Sequence, residues 1–291
     1  MELFLTLLTI IMTAATPLLL AALGETVTER SGVLNLGVEG MMVMGAVAGF
    51  GGAAIFDSSW AGIPFAIVAG VLLSLLFAFL TMTLLANQVA TGLALTLLGL
   101  GLSALLGERL VGQPGLKLPQ AFGIDPLMAF SFLLTGIVSW LLFRSKAGLI
   151  IRAVGNNHAS AHALGYSVLK VRYLCIMFGG ACSGLAGGYL SLVYTPQWVE
   201  NMSAGRGWIA LALVVFASWL PLRVLAGAYL FGTISILSFV LQAMGLGIPS
   251  QLLSSLPYLG TILALVVISG NKALTRRNTP ASLGQAFVPD R

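Results

Sequence analysis

The chain has 291 residues, of which 58% are apolar and 8% charged. Soluble domains carry about 25% charged residues, so this chain has too little polar surface to face water on all sides. The composition excludes a soluble enzyme, a secreted disulfide scaffold, a disordered regulator and a nucleic-acid binder. It predicts an integral membrane protein built as one domain over residues 1–291. The net charge of +5 is expected to set its orientation in the bilayer.

Long charge-free stretches predict the membrane spans. A helix needs about 20 apolar residues to cross about 30 Å of hydrocarbon. Two stretches are long enough for two helices each, with breaks at the turn-forming residues Asn87-Gln88 and at 245–249. We therefore expect an all-α, polytopic transmembrane bundle of about nine spans, within a range of about 8–10. The stretches are 3–24, 40–56, 58–107, 126–143, 173–199, 207–222 and 224–271.

Basic residues lie in two places that predict the orientation. The loop 144–172 contains no Asp or Glu, and the tail 272–291 begins with further basic residues. The positive-inside rule places both segments in the cytoplasm. Four predicted crossings between them return the chain to the same side, so the two assignments agree. Counting backwards puts the N-terminus outside, with the alternative that 24–40 enters the membrane without crossing it. The basic residues are Arg144, Lys146, Arg152, Lys170, Arg172, Lys272, Arg276 and Arg277, and the four crossings are at about 173–194, 205–220, 224–242 and 256–270.

Motifs for catalysis or for a metal are absent from the sequence. No lysine is preceded by Gly and followed by Ser or Thr, so there is no phosphate-binding loop for ATP hydrolysis. His158 and His162 would share a helix face, but the loop offers no third metal ligand, and we interpret them as helix-surface residues. Cys175 and Cys182 lie in an apolar stretch and are interpreted as packing residues. The chain is therefore not expected to be an enzyme or to bind a metal.

Glu39 stands at the start of a long apolar run and is flanked by glycines. An ionisable group near membrane depth is costly unless it is paired or faces water. Two interpretations stay open: Glu39 lines a transport pathway where the helix opens, or it is an interfacial residue favoured by the helix dipole. Glu25, Glu29 and Arg30 are interpreted as solvated interface residues, with an ion pair or a partner contact as the alternative.

Small residues at four-residue spacing mark the span that follows the basic loop. Gly180, Gly184 and Gly188 form the pattern, and Gly45 and Gly49 repeat it in the second span. Such faces let helix backbones approach closely in lipid. We favour packing within the chain and keep a dimer interface as the alternative.

The basic loop is too long for a simple turn. Its segment 152–168 predicts a short helix with Asn156 or Asn157 as N-cap, an alanine-rich body and Gly165 as C-terminal stop. A cytoplasmic helix between two spans is well placed to dock into a partner protein. Lying on anionic lipid is the alternative.

Four blocks of the sequence resemble the inner-membrane permeases of ABC importers for branched-chain amino acids, ribose and nucleosides. They are GETVTERSGVLNLGVEGMM at 24–42, TGLAL at 91–95, the loop 152–168 and SAGRGWIALA at 203–212. The first and last blocks, and PASLGQ at 280–285, are similar to the nucleoside and simple-sugar branch. The resemblance implies a permease subunit that imports nucleosides by alternating access. Simple sugars or branched-chain amino acids are the alternatives within the family, and an ion-coupled secondary transporter is the alternative class.

The resemblance also implies the partners. ABC ATPase subunits would hydrolyse ATP with Mg²⁺, so this chain would bind no cofactor itself. A second, different permease subunit would complete the pathway, and a substrate-binding protein or lipoprotein would deliver the solute. The expected location is the bacterial inner membrane.

Site residues follow from the resemblance in two groups. The loop would be the coupling helix pressed into an ATPase groove, where Asn156 and His158 occupy positions at which family members commonly carry an acidic residue and a proline. The coupling residues are Arg152, Gly155, Asn156, His158, Ala161 and Gly165. The pathway residues, chosen as polar groups near membrane depth, are Asn35, Glu39, Gln88 and Thr91.

Overall fold

The computed structural model describes residues 2–120, 123–244, 249, 251–253, 255–256, 259–260 and 278–288, with only the backbone for residues 2–5. These residues form an all-α bundle in which helices pack against helices. The helices are α1 Glu2–Arg30, α2 Val38–Phe56, α3 Ser59–Ala78, α4 Gln88–Gly107, α5 Pro126–Arg144, α6 Lys146–Asn156, α7 His158–Ala163, α8 Val168–Tyr189, α9 Arg206–Phe216 and α10 Pro221–Ala243. A π-helical turn extends α3 over Phe79–Thr83 and another extends α8 over Leu190–Tyr194.

Seven helices of the described ranges are long and apolar enough to cross a membrane, namely α1 to α5, α8 and α10. They confirm the predicted polytopic bundle. The last predicted span at 256–270 lies almost wholly outside the described residues. The predicted break at 245–249 and the basic residues at 272–277 also lie largely or wholly outside them.

The prediction of a full helical crossing at 205–220 is wrong. Helix α9 has 11 residues, which is about 16 Å of helix and about half of the hydrocarbon thickness. Left-handed residues bound the helix on both sides: Ala204 and Gly205 before it have φ angles of 47° and 81°, and Ser218 and Trp219 after it have φ angles of 52° and 56°. These left-handed conformations cannot continue a right-handed helix, so the helix begins at Arg206 and ends at Phe216, four residues before the predicted end.

Helix α8 lies at the centre of the bundle because its small residues let α2 and α3 approach closely. A Cβ atom on Gly184 would overlap the carbonyl oxygen of Ala66 in α3, and one on Gly180 would overlap Ser74. A Cβ atom on Gly187 would overlap the carbonyl oxygen of Met42 in α2. Packing within the chain, the favoured interpretation of the small-residue pattern, is therefore confirmed. Both cysteines are free and buried, as expected of packing residues.

Three segments far apart in sequence meet at one end of the bundle. The Ser282 N–H donates to the Gly155 carbonyl over 2.9 Å, and the Gly284 N–H donates to the Gly32 carbonyl over 3.1 Å. The end of α9 reaches the same place, since Trp219 contacts α1 at its last turn. The tail and the basic loop therefore lie at the same end, as the four predicted crossings require.

Candidate functional site

Glu39 lies deep in the bundle, in the first turn of α2. A Cβ atom on the next residue, Gly40, would overlap the backbone of Leu95 and Thr96, halfway along α4. The Glu39 side chain is 2% exposed. A carboxylate therefore lies buried inside the bundle, where a charge needs hydrogen-bond partners.

The start of α9 supplies these partners. The Ser203 hydroxyl donates to Glu39 Oε1 over 2.6 Å, the Gly205 N–H donates to the same oxygen over 2.8 Å, and the Gly207 N–H donates to Oε2 over 2.6 Å. The first N–H groups of a helix have no acceptor inside the helix and carry its positive dipole end. Glu39 thus caps α9 from another helix and joins α2 to α9 at the middle of the bundle.

Asn35 and Gln88 hold the connection between α1 and α2. The Gln88 Oε1 atom accepts the N–H of Leu34 over 2.8 Å, and Asn35 Oδ1 accepts the N–H of Gly37 over 2.9 Å. The Gln88 amide nitrogen is buried without a partner among the described residues. Thr91 follows one turn later on α4 and is half-buried. The structure thus brings two of the four predicted pathway residues to the α1–α2 connection, with Glu39 one turn into α2.

The prediction that Glu25, Glu29 and Arg30 are solvated is wrong, because their exposed fractions are 0%, 1% and 7%. The Trp219 indole N–H donates to Glu29 Oε2 over 2.5 Å, and Arg30 donates from Nε and Nη2 to the Trp219 carbonyl over 3.3 and 3.1 Å. Glu25 Oε1 accepts the N–H of Asn35 over 3.3 Å. Helix α1 runs six residues past its predicted end at 24 and packs against the end of α9, which buries all three side chains.

The basic loop forms two helices, α6 and α7, where one was expected. The Asn157 side chain accepts the N–H of Ser160 over 2.9 Å, which confirms the second of the two predicted N-caps. Gly165 has a φ of 88°, which only glycine adopts at no cost, and it ends the turn after α7 as predicted. The boundary between α6 and α7 at Asn157 places Arg152 and Gly155 on α6.

The tail packs on α7 through Phe287. The rings of His158 and His162 lie 5.4 and 5.3 Å from the Phe287 ring, and Ala161 is buried against the same side chain. The two histidines are therefore surface residues of α7 that the tail covers, and no group of three metal-binding side chains occurs in the described part of the chain. Burial lowers the pKa of His158, and the charge of Arg172 lowers it further.

Comparison with known proteins decides the family of this bundle. Residues 7–269 match the family described as "Branched-chain amino acid transport system / permease component". The chain belongs to this family. The permease is 40% identical to "Putative glucose ABC transporter permease protein TsgC13" of Haloferax volcanii, over 94% of each chain. It is 32% identical to the guanosine ABC transporter permease protein NupQ of Bacillus subtilis, over 94% of this chain and 93% of that one. It is 29% identical to the nucleoside ABC transporter permease protein NupC of Lactococcus lactis, over 88% and 90%. No solved structure matches the permease.

These matches confirm the resemblance found in the sequence, including its nucleoside and simple-sugar branch. The permease is a transport component of an ABC system and not an enzyme.

Sequence reasoning missed several residues that build the permease's site. Ser203 lies in a block that was singled out, but its contact with Glu39 spans 164 residues and no local pattern reports it. Arg172 was counted only as a basic loop residue, yet its side chain is fully buried and donates to the carbonyls of Ser31 and Gln285 over 3.3 and 2.9 Å. The buried position of Phe287 at the end of the chain had no sequence signal.

Proposed function

We propose that this permease imports a neutral solute that contains a sugar ring, a nucleoside first and a simple sugar second, by alternating access. The names of the similar permeases support both solutes, since they mention glucose, guanosine and nucleosides. The structural observation that carries the proposal is the half-length helix α9, which begins at the middle of the bundle and is capped there by Glu39. Interrupted helices in a bilayer are tolerated where they are buried in protein or line a cavity, and transporters use them at substrate sites.

The proposed pathway residues are Asn35, Glu39, Gln88 and Thr91. Among them Gln88 has the free hydrogen-bonding capacity, because its buried amide nitrogen lacks an acceptor in the described ranges. Glu39 contributes by holding α9 in place. A shift of α9 relative to α2 would break its hydrogen bonds, so we expect these bonds to distinguish the outward-open and inward-open states.

The partner that drives transport is proposed to be an ABC ATPase pair that hydrolyses ATP with Mg²⁺ and binds α6 and α7. Leu164 and Tyr166, just after α7, are 77% and 43% exposed, and large apolar side chains exposed together mark an interaction surface. A Cβ atom on Gly155 would overlap the Arg30 carbonyl at the end of α1. Because the backbones of α6 and α1 are in direct contact here, we expect a displacement of α7 to be transmitted through α6 to α1.

The other elements of the proposal concern assembly and location. A second, different permease subunit and a substrate-binding protein would complete the importer, which would lie in the bacterial inner membrane. The basic residues of 144–172 and the contact of the tail with this loop support a cytoplasmic position for both.

The test is uptake of radiolabelled guanosine, glucose and leucine in cells with and without this gene. We expect the gene's loss to abolish uptake of guanosine or glucose and to leave leucine uptake unchanged. ATP depletion should stop the uptake, whereas an uncoupler that spares ATP should not. Uptake that follows the ion gradient instead would indicate a secondary transporter and contradict the proposal.

A further inference from the structure

A cavity of about 160 Å³ lies between α1, α9 and α10. Its lining residues on α1 are Ala14 and Leu18, which precede the end of α1 at the basic loop by more than two turns. Tyr194, at the last residue of the π turn after α8, closes the same cavity. The cavity therefore lies in the half of the bundle away from the basic loop, on the side from which an importer receives its solute.

Arg206 brings a positive charge to this cavity. Its Nη1 atom donates to the carbonyls of Met202 and Ser203 over 3.2 and 3.3 Å, and its guanidinium lies 5.0 Å from the centre of the Tyr194 ring. Guanidinium has five N–H donors, and within the described part of the chain no acceptor is found for Nε or Nη2. Among the described residues, no carboxylate lines the cavity. A charged side chain at membrane depth with free donors points to a ligand.

Two serines of α10 line the same cavity as Arg206. Ser235 and Ser238 both line it, one turn apart on the helix. The Ser238 hydroxyl donates to the Ser235 carbonyl over 2.7 Å, so its oxygen stays able to accept a hydrogen bond. Leu18 and Phe239 add apolar surface. Donors, acceptors and an apolar wall within one small space match the hydroxyl groups and C–H face of a sugar ring.

The size and charge of the cavity narrow the ligand class. Its volume is below the about 300–1,000 Å³ of common ligand pockets, which suits the single ring of a sugar or of the ribose of a nucleoside. The Glu39 carboxylate binds the N–H groups of Gly205 and Gly207, on both sides of Arg206, and offsets the guanidinium charge. A neutral ligand is therefore favoured over an anion.

We propose that this cavity binds the sugar ring of the transported solute, with Arg206 and Ser235 forming hydrogen bonds to its hydroxyl groups and Tyr194 holding the guanidinium in position. The inference rests on the proposed function, because glucose and the ribose of a nucleoside present the same chemistry. It adds the place where that ring binds, on residues other than the four proposed for the pathway.

The first test uses thiol labelling of the assembled transporter in membranes. The two native cysteines are buried, so the wild-type chain serves as the unlabelled control. A Ser235→Cys variant should react with N-ethylmaleimide, and either glucose or guanosine should slow this reaction, while leucine should not. A Gln197→Cys variant, at an exposed position of the loop before α9, should react at the same rate with or without solute. Protection by glucose, by guanosine or by both shows which of these solutes places its sugar ring in the cavity.

Failure of the inference and failure of the proposed function are separate outcomes of this design. Wild-type uptake without protection of the S235C variant, or an S235C variant that does not react at all, overturns the cavity assignment and leaves the proposed function intact. Protection of the S235C variant without wild-type uptake supports the cavity and contradicts the proposed function.

A second variant keeps the test independent of the introduced thiol. Arg206→Lys retains the charge but loses the forked donors, and we expect the KM for uptake to rise about three- to tenfold, as for the loss of one hydrogen bond, at unchanged membrane abundance. An R206K variant with the wild-type KM for both solutes overturns the assignment.

Discussion

Replacing Glu39 with glutamine removes the charge that caps α9 while keeping the shape of the side chain. The carboxylate accepts three hydrogen bonds, two on Oε1 and one on Oε2. An amide has one acceptor oxygen, so the N–H of either Gly205 or Gly207 then faces an NH₂ group. Ser203 can adapt to either orientation, because a hydroxyl can donate or accept. The variant therefore leaves one buried backbone donor without an acceptor and loses the charge–dipole attraction.

The magnitude follows from these losses. A buried donor left unsatisfied costs about 1–3 kcal/mol, and the charge at a helix N-terminus contributes about 0.3–1 kcal/mol. We expect Glu39→Gln to lower the free energy of unfolding by about 1–4 kcal/mol. Thermal and denaturant unfolding of the purified permease in detergent measures this loss. Glu200→Gln, an exposed acid in the loop before α9, is the matched control and should change stability by less than about 0.5 kcal/mol.

A double-mutant cycle with Ser203→Ala tests the same contact from its other side. The second variant of this cycle is Glu39→Ala, which leaves the Ser203 hydroxyl without its acceptor. Because both changes then remove the same hydrogen bond, their effects should not add, and the coupling should be about 0.5–3 kcal/mol. Equal free energies of unfolding for the E39Q and E200Q variants would refute the capping role of Glu39. If uptake were lost at unchanged stability, Glu39 would act on the solute directly.

Three further predictions concern other contacts. Gly184→Val should prevent α8 from packing against α3, because even a Cβ atom overlaps the neighbouring backbone, and should abolish the folded protein in membranes. Gly136→Val, at a position with open space around it, should leave its abundance unchanged. Phe287→Ala should weaken co-purification of the ATPase, since the side chain is 6% exposed and packs on α7, whereas alanine at the exposed Val288 should not. Trp219→Phe should lower the free energy of unfolding by about 1–3 kcal/mol, because the Glu29 carboxylate loses the indole N–H that donates to it. An unchanged melting temperature would contradict this prediction.

The parts of the fold that depend on local patterns could be predicted from the sequence. Charge-free stretches indicated the long helices, and the spacing of Gly180, Gly184 and Gly188 indicated close packing, because each property is carried by neighbouring residues. Asn157 and Gly165 marked the ends of α7 for the same reason. The long-range partners could not be predicted in this way, since the Trp219 contact with Glu29 spans 190 residues.

Helix α9 shows why an apolar, charge-free stretch can be wrongly predicted to span the membrane as one helix. The stretch 207–222 is apolar and free of charge, but hydropathy does not report backbone conformation. Left-handed residues at 204–205 and at 218–219 bound the helix and leave it at half length. Glu39 was singled out for its cost in the membrane, either as a pathway residue or as an interfacial residue favoured by the helix dipole. The structure shows that its carboxylate caps the start of α9, a partner that no pattern near Glu39 reveals.

The most direct test of the account is uptake by the complete importer reconstituted in proteoliposomes. The chain would be purified with its co-encoded ATPase and second permease, and the binding protein with labelled guanosine or glucose would be added outside. The account predicts accumulation of one of these solutes only when Mg-ATP is supplied to the ATPase side, with no effect of dissipating ion gradients. Accumulation without ATP, or accumulation that an ion gradient alone drives, would contradict it.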